Sequence, residues 1–98
     1  MSQVTRARSY TVPVGTPRVV DMAPFGHEST ITARPGSGGT LQIEYSTTPR
    51  AAGDPAGSAW QNWPLGTVSA INSDSLISPI TAIRATALLA DGTLEIVG

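Results

Sequence analysis

Two tryptophans three positions apart, Trp60 and Trp63, bracket a pair of amides, Gln61 and Asn62. Flat aromatic faces stack on sugar rings, and amides and phenols supply the hydrogen bonds. Tyr45, Trp60 and Trp63 are therefore a candidate glycan platform. The same residue types have plainer uses. Large aromatics dominate core burial in small domains, and tryptophan and arginine are enriched where subunits meet. In a strand the two rings point to opposite faces; across a turn they lie side by side. The plainer expectation is one tryptophan in the core and the other over an open end of the domain.

The remaining reactive residues are scattered. Asp21, Glu28, Glu44, Asp54, Asp74, Asp91 and Glu95 stand singly, without the paired placement that glycoside hydrolysis needs. His27, Glu28 and Ser29 are adjacent, but neighbours along a strand point to opposite faces and do not converge as a triad. The glycine-rich run 35–39 lacks the phosphate-loop spacing, and the chain has no lysine to complete one. With no cysteine and one histidine, thiolate metal sites and disulfides are excluded. The expectation is a non-enzymatic protein with no catalytic residue, no metal and no cofactor.

Composition narrows the partners. The chain has 98 residues, net charge −1 and 13% charged residues, about half the usual quarter. Nothing here attracts nucleic acid or an anionic membrane. Sparse, balanced charge favours association over repulsion. All six basic residues are arginine, which fits compositional bias in a sequence rich in Ala, Gly, Pro and Thr. It also fits interface use, because the guanidinium binds directionally. Residues 1–6 lack the apolar stretch of a signal peptide, and no run approaches a membrane span. The expected route is synthesis and retention in a cytoplasm, or release by lysis.

The positioning elements are strands. Residues 40–46, Thr-Leu-Gln-Ile-Glu-Tyr-Ser, alternate apolar and polar, the mark of a half-buried strand. Leu41, Ile43 and Tyr45 are expected inward. Residues 1–8 read as a polar arm, with Arg6, Arg8 and Tyr10 as the candidate interface, ahead of a single domain over 9–98. A first strand over 8–14 carries Tyr10, Val12 and Val14 on one face, and Pro13 places it at a sheet edge. Further strands are expected over 18–22, 28–33, 63–70, 80–89 and 93–97. The run 35–39 reads as a hairpin turn, 47–59 as a long loop, and 71–79 as irregular with Leu76 and Ile77 as anchors. Asp91-Gly92 is a two-residue hairpin signal, which would pair Leu89 with Leu94 and Ala87 with Ile96. No helix of normal length is visible. About seven or eight short strands with evenly spaced turns suit an all-β antiparallel sandwich, jelly-roll or Ig-like.

Three segments resemble small virion structural proteins of tailed bacteriophages: residues 41–47 (LQIEYST), 60–68 (WQNWPLGTV) and 78–87 (SPITAIRATA). The resemblance spans 39–97. It implies a β-sandwich that decorates or cements a phage head, oligomerises and bridges neighbouring coat subunits. The implied location is the virion and the implied partners are the major capsid protein, other virion proteins and further copies of the chain. No catalytic or binding residue carries over. The alternative expectation is a carbohydrate-binding or adhesion module of a phage tail or fibre, built on Tyr45, Trp60 and Trp63.

Overall fold

The structure is a computed structural model that describes residues 7–25, 28–76 and 80–98. Arg6 and the rest of 1–6, His27 and Ile77 lie outside the described residues.

Eight strands follow in order: β1 (Ala7–Val12), β2 (Arg18–Asp21), β3 (Ser29–Arg34), β4 (Thr40–Ser46), β5 (Gln61–Val68), β6 (Asn72–Leu76), β7 (Ala82–Leu88) and β8 (Gly92–Val97). They form two antiparallel sheets, β1-β8-β3-β6 and β2-β7-β4-β5. Strand 1 pairs with 8, 2 with 7, 3 with 6 and 4 with 5. The chain is thus one long antiparallel ribbon, doubled at the β4–β5 connection and wound into two sheets, closed by the β3–β8 and β4–β7 pairings. That nested order is a jelly roll, the first of the two sandwich types expected.

The core lies between the sheets and follows the period-two pattern. Ile31, Leu41, Ile43, Ile83, Leu94 and Ile96 are fully buried. β1 sits at a sheet edge, as Pro13 indicates. It begins at Ala7, so Ala7 and Arg8 pair with Val97 and Ile96 and belong to the sheet, not to a free arm. Val14 lies beyond β1, bridges Ala87 and is 46% exposed, so it does not share the inward face of Val12.

The winding overturns two expected hairpins. β3 and β4 belong to different sheets, as do β7 and β8. The runs 35–39 and 89–91 are corners from one sheet to the other, and Leu89 does not pair with Leu94. Alternation cannot tell these cases apart, because strands on either side of a corner also turn their apolar residues to the shared core. Both corners meet at one end of the sandwich. A Cβ on Gly39 would stand 2.8 Å from the Leu88 carbonyl oxygen, so only glycine allows this approach. Leu89, expected to pair with Leu94, is 85% exposed with φ of +72°. The stretch expected to be irregular contains β6, an edge strand paired to β3.

Candidate functional site

Among the described strands, β4 and β5 are the one consecutive pair that stays within a sheet, and with their connection they carry the residues of the candidate platform. Between the pairs Gln42–Thr67 and Glu44–Asn62 the register slips. Residues 63–66 bulge opposite Ile43. Pro64 has no ladder donor to lose, and Gly66 takes φ of +63°, a conformation glycine adopts without strain. The bulge turns Trp63 into the core, where it is 1% exposed and donates its indole N–H to the Gly66 carbonyl at 2.7 Å.

Trp60 goes the other way. Its ring lies over Arg84, with the guanidinium carbon 4.4 Å from the ring centroid. Its indole N–H donates to the Pro55 carbonyl at 2.9 Å. Arg84 stands directly opposite Glu44 across β7 and β4 and donates to both carboxylate oxygens, Nε at 3.0 Å and Nη2 at 3.1 Å. One face and two donors of the guanidinium are therefore engaged by the protein itself.

The loop 47–60 is closed by its own bonds. Thr48 Oγ1 accepts from the Ala59 N–H, Asp54 Oδ1 accepts from the Gly57 N–H, and the Ser58 hydroxyl donates to the Asp54 carbonyl. Thr81 anchors it to β7 by donating Oγ1 to the Ser46 and Thr48 carbonyls. Ala51 is fully buried. This is a compact loop folded on its own side chains, with Trp60 and Arg84 as its clasp.

The expected glycan platform is therefore not assembled. Trp63 fills the core, and Tyr45 packs at the core margin with its hydroxyl donating to Gln61 Oε1 at 3.1 Å. Trp60 lies with Arg84, whose register position is on the outer face of its sheet. The three rings share no face. Of the candidate interface residues, Tyr10 packs against the core and has Arg18 over its ring at 5.2 Å. Arg8 is exposed, opposite Ile96. Among the described residues no group of three or more His, Cys, Asp or Glu side chains is placed to hold a metal ion.

Two surfaces escaped the reading of the sequence. One is the apolar end formed by Val14, Leu88 and Leu89, which are 46%, 56% and 85% exposed. Its signal was present, since Leu88 and Leu89 are adjacent and a strand cannot turn both inward. The other is a recess of about 470 Å³ between the end of β2, the 47–60 loop and the lead into β7. Its residues come from three distant segments and carry no common motif. Comparison with protein-family models, curated proteins and solved structures finds no match for this chain.

Proposed function

We propose that this chain is a non-enzymatic structural protein of a bacteriophage particle, a capsid decoration protein that docks on the head lattice. The observation that carries the reading is Leu89. It is a large apolar side chain held in the left-handed region and 85% exposed. Both features are unfavourable for the isolated chain. A neighbour that covers Leu89, Leu88 and Val14 recovers the second cost. The corner that presents them is braced by the Val14 N–H donating to Asp91 Oδ1 at 2.9 Å.

The jelly-roll winding supports the reading by analogy, since viral capsid domains use it. Lectins and cupins use it as well, so the winding does not decide between them. The resemblance of residues 39–97 to phage head proteins supplies the virion context, and sparse charge favours assembly. β1 is an edge strand whose outer side pairs with no strand among the described residues, which leaves it available to a neighbouring strand.

Quantitative mass spectrometry of intact particles tests the proposal. Abundance near that of the major coat protein is the expected result. A few copies per particle would move the chain to the tail, and its absence from particles would overturn the reading.

A further inference from the structure

The recess beneath the 47–60 loop has the make-up of a small-molecule site. Its lining is apolar at Ala23, Ala52 and Ile80 and, among the described residues, carries one cation, Arg50, and one anion, Asp21. Neither charged group makes an ion pair within 4 Å among the described residues. The volume of about 470 Å³ falls within the range of ligand pockets.

The walls are fixed before any ligand arrives. The Met22 N–H donates to the Thr81 carbonyl at 3.1 Å and the Thr81 N–H to the Ser46 carbonyl at 2.8 Å. Asp21 Oδ1 accepts from the Ala23 N–H at 3.0 Å, which orients the carboxylate and leaves Oδ2 as acceptor. Arg50 sits at φ of +59°, a position where glycine would be free of strain. Its carbonyl accepts from the Gly53 and Asp54 N–H groups, which holds the turn. Strain of this kind gathers at binding positions, and here it falls on the arginine that lines the recess.

We infer that this recess binds a small carboxylate that also carries a hydrogen-bond donor, its carboxylate on Arg50 and its donor on Asp21, with an aliphatic or ring face on Ile80. Guanidinium matches carboxylate geometry with two parallel bonds. The donor is either the ammonium of an amino acid or the hydroxyl of an acidic sugar. Both charged side chains are exposed, so water competes and the affinity is millimolar. This inference is independent of the virion proposal, since it concerns the opposite end of the sandwich from Leu89.

The test is nuclear magnetic resonance titration of the full-length, isotope-labelled protein with D-glucuronate, L-alanine and D-glucose at matched ionic strength. The expected result is a saturable shift of the Ala23, Ala52, Gly53 and Thr81 amides with at least one of the two acids and none with glucose. Saturation by glucuronate alone assigns the hydroxy acid, and saturation by alanine alone the zwitterion. Arg50→Gly removes the guanidinium and relieves the backbone. It is expected to melt no lower than wild type and to bind at least about tenfold more weakly. Asp21→Asn is expected to weaken alanine more than glucuronate, because the amide oxygen still accepts from a hydroxyl. The inference is overturned if neither acid gives a saturable shift, if glucose shifts the same amides equally, or if Arg50→Gly binds as wild type does.

Discussion

The Arg84 guanidinium carbon lies over the Trp60 ring, 4.4 Å from its centroid, while Arg84 grips Glu44 through two bonds. The stack joins the 47–60 loop to the outer face of β7 and β4. Its partners are one-quarter exposed or less on the carboxylate side and slightly more on the guanidinium side, so the pair is only partly screened.

Trp60→Ala is expected to release the loop without unfolding the domain. A partly desolvated cation–π contact contributes about 0.5–2 kcal/mol, and the indole bond to Pro55 is lost with it. The expected loss is about 1–2 kcal/mol in urea unfolding, with faster tryptic cleavage after Arg50. Trp63→Ala is the contrast. It removes the largest fully buried side chain and is expected to cost about 3–5 kcal/mol. Equal losses for the two would show that the loop is part of the core and not a clasp.

Gly92 is needed for packing, not for a hairpin. A Cβ there would sit 2.8 Å from the Leu41 side chain, and both residues belong to the sandwich interior. Gly92→Ala is expected to destabilise by about 1–3 kcal/mol through overpacking. Leu41→Val in that background is expected to recover part of the loss, so the double-mutant cycle shows a favourable coupling. A pure backbone effect at a turn would leave the two substitutions additive.

Gly92 also shows where the sequence was legible and where it was not. Alternation located β4, β7 and β8 and their inward faces, because one face of each is buried and register is then strongly specified. It could not assign partners, because the same alternation serves a hairpin and a corner between sheets. Asp91-Gly92 carries the composition of a tight turn, yet Asp91 braces a corner through Val14 and Gly92 yields space to Leu41. β6 was hidden for a different reason. Asn72-Ser73-Asp74-Ser75 is a polar edge strand that contributes little to the core. The spacing of Trp60 and Trp63 left their directions open, opposite in a strand but side by side across a turn; Trp60 lies just before β5 and a bulge sets the direction of Trp63. The pocket charges Asp21 and Arg50 were not readable, since only the tertiary winding brings them together.

Asp74 guards the β6 edge. It stands opposite Ile31 on the core-facing side of the edge strand, half-buried. An inward-pointing charge on an edge discourages a second strand from extending the sheet. Asp74→Val is expected to change monomer stability by less than about 1 kcal/mol, because an added cross-strand apolar contact offsets the lost carboxylate bond to the Ser75 N–H. It is also expected to cause concentration-dependent self-association in analytical ultracentrifugation. A variant that stays monomeric at all concentrations would remove the guarding role.

Leu89 separates stability from docking. At φ of +72° a leucine carries a backbone cost of about 1–2 kcal/mol, whereas asparagine visits this region routinely. The side chain is 85% exposed, so its removal costs little burial. Leu89→Asn is therefore expected to raise stability by about 0.5–1 kcal/mol, read as a higher urea midpoint at unchanged slope. If the apolar end docks on a particle, the same variant binds particles more weakly despite its firmer fold, and Leu88→Ser binds more weakly still. Stabilisation with undiminished particle binding would exclude this end as the contact surface and leave the open edge of β1 as the surface to test.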